Sequence, residues 1–186
     1  MIYFSFSLYG PLPKYTRGML ANVEILQQRF PAARVAIFTA DDVPTEIIEK
    51  LQSYPQVTVI PTPRKVGCEG MLDRFLAIDL SDCDVMFVRD ADSRVHERDA
   101  ACVEDFLSAP DRLLHIIRDH RFHTHVILGG MWGIRKEGLI EPMITSLERW
   151  KSSHNRAAYM ADQYFVEHTF YNRLLSAAMI HDRCTL

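Results

Sequence analysis

The chain has 186 residues, 48% of them hydrophobic and 24% charged, with a formal net charge of −3. That size and composition fit one globular domain with a sizeable core, and the near-neutral balance shows no footprint for nucleic acid or a membrane surface. Cys68, Cys83, Cys102 and Cys184 are scattered without a Cys-x-x-Cys pair, which reads as reduced structural thiols of a cytoplasmic protein, not as a disulfide frame or zinc site.

The apolar start MIYFSFSLYGPLP lacks a basic leader and breaks at Gly10-Pro11, so it reads as a first strand and not as a signal peptide. Within it IYFSFSL alternates, and Leu20, Val23, Leu26 and Phe30 then recur at helical spacing. RVAIFT reads as a strand, PTEIIEKLQSY as a helix opened by Pro44, VTVIP as a third strand, and GMLDRFLAIDL as a helix with Met71, Leu72, Phe75 and Leu76 on one side. DVMFVRD is the fourth strand. DAACVEDFL reads as a helix, LLHII and VILGGMWGIRK as strands, LIEPMITSLERW and DQYFVEHTFYNRLL as helices, and AMIHD as a last strand. No apolar run approaches the roughly 20 residues a bilayer span needs. Strands alternating with helices predict right-handed βαβ crossovers, hence an α/β fold with a mainly parallel central sheet and helices on both faces. No repeat or linker divides the chain, so residues 1–186 read as a single domain.

The fourth strand ends in RDADSR, where Asp90 and Asp92 flank Ala91. Carboxylates at a buried strand end repel each other and lose hydration. Open α/β sheets bind ligands beyond the carboxyl ends of their strands, and hard oxygens at this spacing suit Mg²⁺ or Mn²⁺, which share their shell with substrate phosphates. The plain alternative is a solvated pair capping the next helix. A haloacid-dehalogenase-type phosphatase places its Asp-x-Asp on the first strand, whereas this one comes fourth. A sugar-1-phosphate nucleotidyltransferase carries a Gly-rich, Arg-containing loop after its first strand, and SLYGPLPKYTRG has only scattered glycines. A non-catalytic sugar- or nucleotide-binding domain of the same fold stays open as the alternative function.

Further on, Gly129 and Gly130 in LGGMWG permit close backbone approach to a ligand, and Trp132 offers a flat face for a sugar ring. Asp162 and Gln163 open the last long helix, where Asp162 is either a plain N-cap or a base for an acceptor hydroxyl. DHRFHTH gathers Asp119, His120, His123 and His125, but no second group has zinc-like spacing, so it reads as a polar loop or as substrate contacts.

VMFVRDADSRV resembles the DxD motif of GT-A-type nucleotide-sugar glycosyltransferases. With RDHRFHTHVILGGMWGIRK and DQYFVEHTFY it is similar to small bacterial and large-virus glycosyltransferase-like proteins. The resemblance covers most of the chain and is weakest over the first sixty or so residues. It implies a GT-A-like fold with a nucleotide-sugar-binding half (residues 1–92) and an acceptor-binding half (residues 93–186). By it, Asp92 binds the metal directly, Asp90 reaches the metal through water or bonds the ribose or sugar, and His181 is a third ligand whose imidazole favours Mn²⁺ over Mg²⁺. Ser7 and Leu8 meet the base through their backbone, Tyr9 stacks on it, and Ala91 lies beside the nucleotide sugar. Arg74, with Arg64 and Lys65 nearby in sequence, contacts the diphosphate. Asp162 is the base of an inverting reaction, or Gln163 stabilises the sugar cation of a retaining one. The implied activity is metal-dependent transfer of a hexose or deoxyhexose from a nucleoside-diphosphate sugar, taken as a UDP-sugar, to a glycan hydroxyl. The chain is short for this family, which implies further domains or a partner for acceptor contacts.

Overall fold

The first strand, β1 (Ile2–Leu8), feeds two cores at once. In the computed structural model, which describes residues 1–182 except 64, 66, 119, 121 and 122, Phe4, Phe6 and Leu8 enter one buried cluster and Tyr3 the other. Successive side chains leave a strand on opposite sides, so the alternation decides which core each joins. Ser5 and Ser7 share the Tyr3 side and are satisfied there: Ser5 Oγ donates to the Arg74 carbonyl at 2.5 Å and Ser7 Oγ to the Gly70 carbonyl at 2.8 Å. Arg64, Asp119 and Cys184 lie outside the described residues.

α1 (Pro13–Arg29), β2 (Arg34–Thr39), α2 (Thr45–Gln52) and β3 (Val57–Pro61) complete two parallel crossovers. The expected helix before the fourth strand forms as a 3-10 helix over Glu69–Asp79, long for that type. Two of its carbonyls are those that receive the β1 serines. Next come β4 (Val85–Arg89), α3 (Glu97–Ser108), β5 (Leu114–Arg118), β6 (Met131–Arg135) and α4 (Met143–Ser153). The last long helix is not uniform: α5 (Ala161–Val166) runs into a π-helical stretch over Glu167–Tyr171 and a final turn, Asn172–Leu174, before β7 (Ala178–Asp182).

The seven strands are ordered β3-β2-β1-β4-β6-β5-β7. All neighbours pair in parallel except β6, which is antiparallel to both β4 and β5. The mainly parallel sheet is therefore present with one reversed strand. Of VILGGMWGIRK only Met131–Arg135 is strand, the glycine pair before it forming a turn. Met19, Val23 and Leu26 of α1, Leu51 of α2 and Val103 and Phe106 of α3 cover one face. Leu72, Phe75 and Ile78 of the 3-10 helix, Leu147 and Trp150 of α4 and Phe165 of α5 cover the other. Among the described residues no helix is long and apolar enough to cross a membrane.

Trp132 is corrected by this packing. It is 0% exposed, meeting Phe75 edge-on at 5.3 Å and stacking on Phe170 at 5.6 Å, and its indole N–H donates to the Gly129 carbonyl at 3.2 Å. The middle of a strand buried on both faces leaves no ring surface for a sugar.

His181 is corrected too. β7 lies three strands from β4, about 14 Å at the usual strand spacing. Its ring is engaged on the α3 side: Nδ1 lies 3.2 Å from His115 Nε2, and Nε2 lies 2.9 Å from Asp105 Oδ2. It is no neighbour of Asp92. His115 is fully buried between Phe87 and Phe106. Burial foremost, then the charges of Arg89 and His181, hold its pKa well below the ordinary 6.5. The unfolded chain therefore takes up this proton first. The folded state keeps full stability from this group above pH ~6.5 and loses up to ~1.4 kcal/mol per pH unit below it. Urea unfolding of His115→Phe between pH 7.5 and 5 should show a shallower decline than wild type.

Candidate active site

The carboxyl end of β4 delivers Asp90 to the edge of the sheet, where it meets a buried arginine. Arg74 projects from the 3-10 helix with its side chain 3% exposed. Its Nη1 donates to Asp90 Oδ1 at 2.5 Å and to the Arg89 carbonyl at 3.2 Å, while Nη2 donates to Asp162 Oδ2 at 2.6 Å. One guanidinium thus ties Asp90, at the end of β4, to Asp162 on the last long helix. Burial opposes its charge, but Asp90 and then Asp162 more than offset that, and its pKa is raised. The fork geometry that grips two oxygens at once is peculiar to arginine.

Gly129 and Gly130 form the floor under both acids. A Cβ on Gly129 would come within 3.0 Å of the Asp162 carboxylate, and one on Gly130 within 3.0 Å of the Asp90 carboxylate. What lies close to this backbone is the protein's own acids, Asp162 and Asp90. Gly130→Ala is expected to push Asp90 off Arg74, lowering stability by about 1–3 kcal/mol. Urea unfolding checks this, and an unchanged value would show that Asp90 tolerates the methyl.

The Asp90–Ser93 turn is clamped from below by α1, a part of the site that motif reasoning missed. Asn22 Nδ2 donates to the Ser93 carbonyl at 2.8 Å, and Asn22 Oδ1 accepts from the Val95 amide at 3.2 Å. Gly18 lets the Ala91 carbonyl and the Arg94 guanidinium press on the helix, since a Cβ there would lie under 3.0 Å from each. A signal existed: glycine and asparagine are poor residues for a helix interior, so KYTRGMLANVE announces close packing. Ala91 turns its side chain into the α1 core, away from the sheet edge. Asp92 points outward, with Lys14 Nζ 2.6 Å from its Oδ2.

Asp162 and Gln163 stand on the first turn of α5. The residue before that helix, Met160, is left-handed at φ 64°, a rare conformation for a side-chain-bearing residue. It reverses the chain so that α5 presents its first turn to Arg74. Gln163 is buried, and its Nε2 has no hydrogen-bond partner among the described residues.

Three adjoining cavities follow the carboxyl edge of the sheet. One of about 180 Å³ lies between Tyr9, Asp42, Thr62, Lys65 and Gly70. A second, of about 430 Å³, shares Tyr9 and Asp42 with it and adds Ser7, Tyr15, Asp90 and Asp92. A third, of about 490 Å³, holds Asp162, Gln163, Gly129, Gly130, His120, His123 and Tyr159. The last two meet at Met71, Arg74 and Asp90. Leu8 is a core residue whose carbonyl accepts from the Ala40 amide at 3.2 Å, and Lys65 is ion-paired with Asp73. His125 does not line these cavities.

Among the described residues no three His, Cys, Asp or Glu side chains are grouped to hold a metal ion. The donor set still fits a divalent cation of the Mg²⁺ or Mn²⁺ type. Asp90 and Asp92 face the same 430 Å³ cavity, and such ions bind through one or two carboxylates, completing their shell with substrate phosphates and water.

No protein-family model matches the chain, and no curated protein matches it. Solved structures do. A glycosyltransferase involved in the glycosylation of the major capsid of PBCV-1 aligns with 100% of this chain and 82% of its own, at 16% identity and a TM-score of 0.61. The mannosyltransferase PcManGT from Pyrobaculum calidifontis, in complex with GDP-Man and Mn²⁺, aligns with 97% of this chain at 14% identity and a TM-score of 0.64. This chain spans about half, 54%, of the PcManGT chain. A Bacillus anthracis protein assigned as a glucose-1-phosphate thymidylyltransferase, in complex with a sucrose, aligns with 98% of this chain and 87% of its own, at 10% identity and a TM-score of 0.60. The architecture is GT-A-like, and it is shared by proteins of more than one activity.

Proposed function

We propose that this chain is a glycosyltransferase acting on a nucleoside-diphosphate sugar, with a UDP-sugar the first donor to test and a glycan hydroxyl as acceptor. The observation that carries the reading is the row of three cavities, the first two sharing Tyr9 and Asp42 and the last two sharing Arg74 and Asp90, with Asp162 held by Arg74 in the largest. The smallest takes the base between Tyr9 and Asp42, the middle one the diphosphate, and the largest the transferred sugar and acceptor. A loop of scattered glycines after β1 speaks against the nucleotidyltransferase reading that the shared fold permits. Transfer of a hexose or deoxyhexose from GDP-Man-like donors belongs to the same proposal, since PcManGT binds that class.

Asp90 and Asp92 would hold a divalent cation, which supplies charge neutralisation to the departing diphosphate. The rest falls to the chain's own groups. Arg74 fixes Asp90 and Asp162 at the boundary between donor and acceptor cavities, so the reacting bond lies between two positioned carboxylates. In an inverting reaction the acceptor oxygen forms its bond to the anomeric carbon as the bond to phosphate breaks. The diphosphate leaves with the electron pair, and Asp162 takes the hydroxyl proton. The buried Gln163 amide faces the same cavity and offers its N–H to the sugar.

Melting curves with a panel of UDP- and GDP-sugars, each with and without Mn²⁺, test the reading. A matching donor raises the melting temperature, and the rise grows with the logarithm of donor concentration above its Kd. Asp92→Asn is expected to remove the Mn²⁺-dependent part and to lower turnover by about 100-fold, with the free variant melting near wild type because Asp92 is partly exposed. Slow release of nucleoside diphosphate from the bound donor separates an enzyme from a binding domain without turnover. A panel in which no donor shifts the melting temperature would defeat the proposal.

A further inference from the structure

The acid of the DxD turn that points outward already carries a cation. Lys14 Nζ is 2.6 Å from Asp92 Oδ2 and sits 5.2 Å from the centre of the Tyr15 ring. Its position is not explained by helix stability. Lys14 is in the first turn of α1, which has no acidic residue, and the positive end of a helix dipole disfavours a cation there. The same turn faces the 430 Å³ cavity, whose wall includes Pro11, Leu12 and Tyr15 as well as Asp90 and Asp92.

The backbone at both ends of this contact is fixed, because Gly18 and Asn22 of the same helix clamp the DxD turn. Only the lysine stem is free to move, its side chain being 65% exposed. Arg74, by contrast, has both terminal nitrogens committed to Asp90 and Asp162. A cation binding Asp92 competes with the ammonium for this carboxylate, and a diphosphate in the cavity would give the displaced ammonium a new anionic partner.

We infer that Lys14 couples metal binding to donor binding, neutralising Asp92 in the ligand-free protein and moving to the diphosphate when the donor arrives. This rests on the glycosyltransferase reading above. In its terms the metal alone binds weakly because it competes with Lys14, and metal and nucleoside diphosphate each strengthen the other, as linkage requires.

The test compares wild type with Lys14→Met and Lys14→Arg. Free Mn²⁺ is followed by electron paramagnetic resonance, and UDP and GDP by calorimetry with saturating Mn²⁺. Lys14→Met should bind Mn²⁺ roughly two- to five-fold more tightly without nucleotide, the scale of an exposed ion pair. It should bind UDP or GDP about ten-fold more weakly with Mn²⁺, the scale of one lost charge-assisted hydrogen bond. Lys14→Arg should stay near wild type in both. Unchanged Mn²⁺ and nucleotide affinities in Lys14→Met overturn the coupling role while leaving the glycosyltransferase reading intact. Failure of wild type to bind either nucleotide with Mn²⁺ overturns both.

Discussion

Replacing Arg74 with methionine is expected to lower stability by about 3–5 kcal/mol, the cost of stranding buried charge when one partner of an ion pair is removed. Asp162, with a 7% exposed side chain, then loses its cation while still facing Asp90. In wild type the raised pKa of Arg74 adds stability that is fully present below the guanidinium's ordinary, strongly basic range and lost only as pH rises above it, so this group is silent near neutrality. In the variant the buried Asp162 carboxylate is left without its cation, whereas Asp90, 40% exposed, stays in reach of water. Adding Asp162→Asn to Arg74→Met should therefore recover part of the loss. Urea denaturation at neutral pH reads both effects, and a single variant within about 1 kcal/mol of wild type would refute the bridging role.

Asp99→Ala should be comparably damaging for a different reason. Arg89 ends β4 with its side chain 1% exposed, bound twice by Asp99 of α3, Nε to Oδ2 at 2.8 Å and Nη2 to Oδ1 at 2.6 Å. Its Nη1 donates to the Val88 carbonyl at 2.8 Å and the Trp132 carbonyl at 3.0 Å, stitching β4 to β6. Removing Asp99 leaves a guanidinium in the core, at about 3–5 kcal/mol. Replacing both partners, Arg89→Met with Asp99→Leu, removes the buried charge altogether and should restore most of the stability. Neither residue lines the cavities, so the double variant should also keep nucleotide affinity. Retained stability in Asp99→Ala alone, measured by the same denaturation, would show that Arg89 finds another partner.

Local pattern carried much of this protein. The period-two run IYFSFSL and the apolar VMFVR are strands in the structure, and their alternation with helices predicts the α/β layering that forms. The carboxyl end of a central parallel strand is where Asp90 and Asp92 lie, because strand ends are read from short-range backbone geometry. Two signals were present but unread: glycine and asparagine inside α1, and serines on a buried strand face. Each marks a place where another segment comes close.

By itself, then, the sequence determined the order of strands and helices along the chain, and that an acid pair ends the fourth strand. Tertiary structure alone decided the partners: Arg74 between Asp90 and Asp162, separated from it by 16 and 88 positions, the glycine pair beneath both acids, Trp132 in the core and His181 three strands away. The division has a physical cause. Periodicity is imposed by neighbouring peptide units, whereas these contacts depend on strand order and on the reversal of β6, which no local pattern encodes.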